Sequence, residues 1–475
     1  MFIHLKRQVE RQSSVLNGRV FQSHTERTLV SSLSYTSNDV FTDANKQEIA
    51  KKIKELEPFP PYSKILNPQH FYHNDVLIRY LQLEPHPVSL RQLAGYGKTL
   101  TRQKIIGSSN FVRLELPIRL AMRIRDLQTL PYMVASNLHL AQVYESYYNL
   151  FEAIRKIPKI QSLEDNDKFC EILGSLLDAH ISNLSHLMMG ALEISILKAL
   201  SGYELDEFMS LMLRSRISRR VIVEQHLSLS DLYRKHPYSR KPADYIGEIF
   251  YQCKTADHLR LAADFVKHSM LGLCPDIVKM PDVIVDGDVD ARISFIQPHL
   301  HYLFGEILRN SYEAVISAHK DKPGKMPPIK VTIINSDRHI QFRISDRGPG
   351  IPHNQLSNIW SFRKKPAVAR ESLACIHRMP GLNLSDRHLE DDIFERSSID
   401  EASQQTTGDF NSTLAHLIKR PHDLKLGLGL PMCKVYADYW NGYLLINSLR
   451  GYGTDTLLTL SKLNYYPNKI QLDKV

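Results

Sequence analysis

Apolar residues recur at three- and four-residue intervals through most of the chain between Gln47 and Leu232, the spacing that lines one face of an α-helix. Asn110–Leu127 carries two such rows, Leu114, Ile118 and Met122 and then Leu116, Leu120 and Ile124, and Leu138–Ile157 carries Val143, Tyr147, Leu150, Phe151 and Ile154. Glu171–Ala199 predicts another long helix or a pair, and Phe208–Leu232 continues the pattern. Long amphipathic helices with short breaks predict a helical bundle over residues 47–250, with the apolar stripes as its core.

Past Asp244 the period changes, which places a boundary near Phe250. β-Branched residues at strand spacing mark Val278–Ser294 and Ile329–Ser345, with turns at Asp288, Pro323-Gly324 and Pro327-Pro328. Gly442–Asn447 and Thr454–Ser461 supply two closing strands, and Leu303–Ala314 and Met432–Trp440 read as helices. The pattern predicts an α+β layer over residues 251–465, a mixed sheet with helices on one side. Within it, residues 360–423 have weak periodicity and clustered acids (Glu390, Asp391, Asp392, Glu395, Asp400, Glu401, Asp409). That segment is too long for an ordinary connection and reads as a lid or disordered insertion.

Composition narrows the class. A chain of 475 residues with 43% hydrophobic content fills two or three ordinary cores. The net charge of +9 is spread along the chain without a long Lys/Arg block, so nucleic acid is not an expected partner. Cysteines at 170, 253, 274, 375 and 433 have an odd count and no Cys-x-x-Cys spacing, which argues against a disulfide framework or a zinc site. Residues 1–35 repeat Lys6, Arg7, Arg11, Arg19 and Arg27 among Ser and Thr, with few acids before Asp39. This is the composition of a mitochondrial transit peptide. No segment reaches the roughly 18 consecutive apolar residues of a membrane span.

Three stretches of the second half carry groups suited to phosphoryl transfer. Glu306 and Asn310 stand four residues apart on one face of the Leu303–Ala314 helix. They put a carboxylate able to take a proton one turn from a carboxamide oxygen able to bind a hard cation, although Glu-x-x-x-Asn alone is common on solvated helices. The strand ending at Asp346 runs into Gly348 and Gly350. Asp346 can accept a hydrogen bond from an exocyclic amine such as that of adenine, and the glycines leave the backbone open to a ligand; the same residues also suit a hairpin turn. Gly427 and Gly429 open the Met432–Trp440 helix, whose free N–H groups and dipole favour phosphate oxygens. By contrast, Tyr96-Gly97-Lys98-Thr99 is not a Walker-type loop, because Gln92 stands where its first glycine belongs. His180 and His226 lie in helical runs and read as packed or surface histidines.

Taken in order, Glu306 with Asn310, Asp346-x-Gly348-x-Gly350, Gly427-x-Gly429 and Gly453-Thr454-Asp455 resemble the nucleotide-binding boxes of the GHKL ATPases. Leu116-Pro117-Ile118-Arg119-Leu120-Ala121, Leu176-Leu177-Asp178-Ala179-His180 and Gln225-His226 resemble the amino-terminal domain of one branch, the mitochondrial 2-oxoacid dehydrogenase kinases. The likeness covers roughly residues 80–465. It implies a GHKL-type α/β sandwich behind the bundle, with ATP and Mg²⁺ as ligands. Asn310 would hold the metal, Asp346 would read adenine with Thr454 beside it, and Gly348, Gly350, Gly427 and Gly429 would admit the nucleotide. Glu306 would act as general base on a serine hydroxyl.

The resemblance further implies a mitochondrial matrix protein-serine kinase that inactivates the decarboxylase subunit of a 2-oxoacid dehydrogenase complex. Its bundle would dock on the lipoyl-bearing acyltransferase core and support a homodimer. Leu-Pro-Ile-Arg-Leu-Ala, Ile-Ser-Asp-Arg-Gly and Gly-Thr-Asp are spelled more like the branched-chain kinases than the animal pyruvate kinases. Pyruvate dehydrogenase is nonetheless the expected target, as the more widespread complex, with the branched-chain complex as the alternative. A conformational ATPase or histidine kinase built on the same boxes is the other alternative. Two departures stand out. Lys425, Leu426 and Leu428 replace a glycine and two aromatics of the family's glycine loop, and Lys364-Lys365-Pro366-Ala367 replaces the Ser or Thr that usually precedes Ala in its lid stem.

Overall fold

A computed structural model of the chain describes residues 75–89, 100–180, 182–235, 249–273, 280–320, 324–375, 413–418, 426–462 and 471–472. The leader at 1–35, the Tyr96–Thr99 tetrad, Lys425 and the acidic middle of the 360–423 insertion lie outside them. All described residues belong to one compact unit, 64–475.

The first half is helical. A short helix α1 (Asp75–Leu81) and strand β1 (Val88–Ser89) precede α2 (Arg102–Gln128), α3 (Tyr132–Ala135), α4 (Leu138–Arg155), α5 (Leu163–Ala179), α6 (Asn183–Leu197) and α7 (Gly202–Lys235). Thr101 caps α2 by accepting from Lys104 N–H, and Asn137 caps α4 by accepting from His139 and Leu140 N–H; such caps satisfy donors that a helix start leaves open. The periodic run at 171–199 resolves into the pair α5 and α6. α2 packs on α4, α5 and α7, and α4 packs on α6. Their interface is not wholly apolar, since the buried Arg119 of α2 donates to Glu115 in its own helix at 3.0 Å and to Ser218 of α7 at 2.9 Å. His226 is buried and meets the Ser108 hydroxyl at 3.0 Å, as expected of a packed histidine.

The second half runs β2 (Tyr251–Lys254), α8 (Thr255–Leu273), β3 (Val283–Gly287), β4 (Arg292–Phe295), α9 (Gln297–His319), β5 (Ile329–Asn335), β6 (His339–Asp346), α10 (His353–Leu356), α11 (Pro366–Cys375), α12 (Thr413–Ile418), α13 (Gly429–Tyr439), β7 (Tyr443–Leu449), β8 (Gly453–Ser461) and β9 (Gln471–Leu472). Five strands form one sheet in the order β3-β5-β6-β8-β7, with β3 parallel to β5 and the other neighbours antiparallel. α8, α9 and α13 cover one face. Alternation in β5 and β6 buries Ile329, Val331, Ile333, Ile340, Phe342 and Ile344 beneath them. The mixed sheet with one-sided helices matches the expected α+β layer.

Three features differ from the sequence reading. The 278–294 stretch splits, with β3 in the main sheet and β4 pairing with β2, a strand the periodicity did not mark. Residues 366–375, inside the expected insertion, form α11, which packs on α6. Val88–Ser89 pairs antiparallel with Gln471–Leu472, joining chain positions nearly 400 apart.

Candidate functional site

α9 is the spine of the site. Pro298 in its first turn fixes φ where no intrahelical N–H bond is needed. Nearly every residue from His299 to Tyr312 is buried, because the helix lies between the sheet and other helices. Phe304 meets Phe342 of β6 edge to face at 4.8 Å. Gly305 faces α12, where a Cβ would stand 2.4 Å from Ile418 Cδ1, and Arg309 donates to the Ile418 carbonyl at 2.8 Å.

At the middle of α9, the Glu306 side chain is 1% exposed and lies against Gly429, the first residue of α13. A Cβ built on Gly429 would stand 2.1 Å from Glu306 Oε2. Leu428 at the N-cap of α13 provides no side-chain bond. One turn along α9, Asn310 carries a buried Nδ2 with no hydrogen-bond partner among the described residues. A buried N–H of that kind needs an acceptor, a place that a water or a ligand oxygen fills. The next residue, Ser311, donates its hydroxyl to Asp346.

Asp346 ends β6 and is 7% exposed. Its Oδ1 accepts from Gly348 N–H at 2.9 Å and from Thr454 N–H at 3.3 Å, since register pairs Asp346 with Thr454 across β6 and β8. The Thr454 hydroxyl meets Ser448 Oγ at 2.8 Å. Gly348 abuts Ala314, where a Cβ would stand 2.6 Å from that residue's own Cβ. Gly350 has φ +71° and lies against the Leu449 carbonyl, a backbone conformation that favours glycine.

Burial pushes the Asp346 carboxyl above its ordinary range, against hydrogen bonds from Gly348, Thr454 and Ser311 that pull it down. A carboxyl raised in the folded state stabilises the fold least above its folded pKa, where both states are ionised and burial penalises the native one. That penalty disappears below the ordinary carboxylate range. Asp346→Asn keeps the Oδ1 acceptor and removes the charge. Its thermal midpoint at pH 7.5 is expected to equal or exceed the parent's, with the difference closing as pH falls through the carboxylate range; a clear loss of midpoint at pH 7.5 would contradict this.

All eight residues singled out from sequence line α9 or the segments packed against it. Glu306 and Gly429 are in contact, Asn310 lies between them and the Asp346 cluster, and Asp346, Gly348 and Thr454 are joined by hydrogen bonds. Gly427, with φ +69°, packs against Lys364 of the lid stem instead: a Cβ there would stand 3.0 Å from Lys364 Cε. Sequence reasoning missed Ser311 and noted Lys364 only as a departure in the lid stem. Ser311 follows Asn310 in the motif helix, but nothing in its spacing points to a residue 35 positions away.

Among the described residues no group of three or more His, Cys, Asp or Glu side chains could hold a metal ion. The donor set fits a metal that arrives with its own phosphate oxygens and takes one carboxamide from the protein. No helix among the described residues is long and apolar enough to cross a membrane.

Comparisons with known proteins agree with the geometry. Residues 87–250 match the family model described as mitochondrial branched-chain alpha-ketoacid dehydrogenase kinase. Residues 296–464 match the histidine kinase-, DNA gyrase B- and HSP90-like ATPase model. The chain is 39% identical, over 90% of its length and 93% of the relative's, to the mitochondrial pyruvate dehydrogenase (acetyl-transferring) kinase 2 of Saccharomyces cerevisiae. It is 26% identical to the mitochondrial pyruvate dehydrogenase (acetyl-transferring) kinase of Arabidopsis thaliana, over 79% of this chain and 90% of that one. It is 24% identical to the human isozyme 3, over 81% and 85%. With the motif helix, the aspartate at the strand end and the glycine-opened helix gathered around one spine, the chain belongs to the mitochondrial 2-oxoacid dehydrogenase kinase family of the GHKL ATPases.

Proposed function

We propose that this chain is a mitochondrial matrix protein-serine kinase that uses ATP to phosphorylate, and thereby inactivate, the decarboxylase subunit of the pyruvate dehydrogenase complex. The observation that carries the reading is the placement of Glu306 against Gly429 and of Ser311 and Ala314 against Asp346 and Gly348, all on α9. From Glu306 to Ala314 the helix rises about 12 Å, the scale of an extended nucleoside triphosphate. Adenine would sit at the Asp346 end and the transferred phosphoryl group at the Glu306 end.

Asp346 accepts the exocyclic amine of adenine and is held for that task by the amides of Gly348 and Thr454. Gly348, Gly350 and Gly427 let Ala314, Leu449 and Lys364 pack close to the backbone around the nucleotide, and the N–H groups of Gly429 and Leu430 at the start of α13 face phosphate oxygens. Asn310 would hold Mg²⁺, which when bound spreads the phosphate charge. Glu306 takes the proton of the incoming serine hydroxyl. Because phosphoryl transfer depends on positioning and charge neutralisation, Asn310→Ala is expected to lower Mg-ATP affinity at least tenfold and to abolish measurable transfer. Titration calorimetry with Mg-ATP and an initial-rate assay check this, and normal ATP turnover in the variant would remove Asn310 from the metal site.

The bundle is proposed to dock on the lipoyl-bearing acyltransferase core and to support a homodimer. Size measurement of the purified chain, and co-sedimentation with the acyltransferase core, test these two points. The target is assigned from the relatives' names and their coverage. The match of the helical half to a branched-chain kinase model makes the branched-chain complex the second reading. Parallel assays on the two purified complexes decide between them.

A further inference from the structure

We propose that Lys364 is a phosphate-binding residue of the nucleotide site, a cation supplied by the lid stem. The proposal rests on the nucleotide-site reading above and adds a residue to it. None of the eight residues recognised from sequence is cationic, yet a site for a triphosphate gains most from fixed positive charge at the oxygens.

The geometry delivers that charge to the glycine loop. Lys364 lies over Gly427, where a Cβ would stand 3.0 Å from its Cε and 3.5 Å from its Nζ. Gly427 is two residues ahead of Gly429, which abuts the Glu306 carboxylate. The lysine and the proposed base therefore flank one short glycine segment.

The mount of this lysine is unlike that of a surface side chain. Asp206 of α7 accepts from the Ser361 hydroxyl at 3.0 Å and from Phe362 N–H at 2.6 Å, fixing the turn before it. Lys364 N–H donates to Ser195 Oγ of α6 at 3.2 Å. The lid stem is thus fastened to the helical half just before the residue and at its own N–H, and the side chain starts from a fixed backbone. Less ordering remains to be done when a ligand arrives.

The ammonium is also under-used. An ammonium has three N–H donors, and Nζ donates to the Ser361 carbonyl at 2.6 Å. Among the described residues no carboxylate lies within ion-pair distance of it. Burial pulls its pKa down to about 8, against the nearby Asp206 charge, which raises it. A half-buried cation without a paired anion is costly, and a phosphate oxygen is the anion this site would receive.

Lys364→Gln and Lys364→Arg, in the full chain, test the assignment. Calorimetry with Mg-ATP reads phosphate contact, and ligand-observed NMR with adenosine reads the base pocket alone. Lys364→Gln is expected to weaken Mg-ATP about tenfold, the worth of one charge-assisted hydrogen bond, and to leave adenosine unchanged. Lys364→Arg is expected to restore Mg-ATP binding to within about threefold of the parent, because it keeps the charge. Unchanged Mg-ATP binding in Lys364→Gln overturns the proposal. So does an equal loss of Mg-ATP and adenosine in both variants, which would assign Lys364 to the lid mount alone. A parent chain that binds no Mg-ATP overturns the nucleotide-site reading itself, and that result is visible before any variant is made.

Discussion

Gly429→Ala is expected to lower phosphoryl transfer at least 100-fold while leaving the fold intact. The new methyl would lie 2.1 Å from Glu306 Oε2 and 2.9 Å from its Cδ, well inside van der Waals contact. Glu306 is 1% exposed, and the carboxylate must swing away from the start of α13 to clear the methyl. Displacement of a reacting group by about 1 Å costs on the order of 100-fold when catalysis is positional. Stability moves differently. Gly429 opens a helix and does not have a positive φ, so alanine is compatible with its backbone and favoured by helix propensity. The strain at Glu306 and this gain are of opposite sign, and the thermal midpoint is expected to stay within a few degrees of the parent's. Initial rates together with a thermal melt separate the two effects. Activity within fivefold of the parent would show that the Glu306–Gly429 contact does not matter to the reaction.

Glu306→Gln is expected to lower transfer by about 10²–10⁴-fold, the range for loss of a positioned base, while Mg-ATP binds as before. Glutamine fills the same volume in a buried position, so the packing of α9 against α13 survives. The lost property is the capacity to take the serine proton. A change in kcat with little change in nucleotide affinity is the signature of an interaction made in the transition state. Stopped initial-rate assays and titration calorimetry on one preparation measure both quantities. Unchanged phosphorylation would remove Glu306 from the role of base, and loss of Mg-ATP binding would make it a binding residue.

Local period made much of this legible. α9 and α13 carry apolar stripes at helical spacing, and Glu306 and Asn310 fall on one face of α9 for that reason. β6 alternates cleanly up to Asp346, so the aspartate was readable as the end of a strand. The glycines were readable as a motif, but the reasons for them were not. Gly429 is small because Glu306 occupies its side, Gly348 because Ala314 does, and Gly350 because the chain turns through φ +71° beside Leu449. Each of those reasons lies across the sheet or on another element. Thr454 reaches Asp346 through strand register over 108 positions, which no local period encodes.

The helical half shows a second limit. α2 and α7 bury Glu115, Arg119, Arg123, Arg216 and Arg219, polar residues that blur an amphipathic stripe. Arg119 is satisfied by Glu115 and Ser218, and Arg216 reaches the Tyr436 hydroxyl of α13 at 3.5 Å. The first two hold the bundle together and the last ties it to α13, and only the folded arrangement reveals them. The same holds for the lid stem, whose attachment to Asp206 and Ser195 joins elements about 155–170 residues apart. Weak periodicity at 366–375 concealed α11 because its ten residues are supported by α6 more than by their own pattern.

The central claim, that the gathered boxes carry out kinase chemistry on a protein serine, is tested most directly by transfer of labelled phosphate from ATP. The purified chain is incubated with γ-labelled ATP, Mg²⁺ and the intact pyruvate dehydrogenase complex, and the products are separated after acid treatment. Acid-stable label on serine of the decarboxylase subunit, absent with Glu306→Gln, is the expected result. Label released only as inorganic phosphate, or held as acid-labile phosphohistidine on the chain itself, would contradict it.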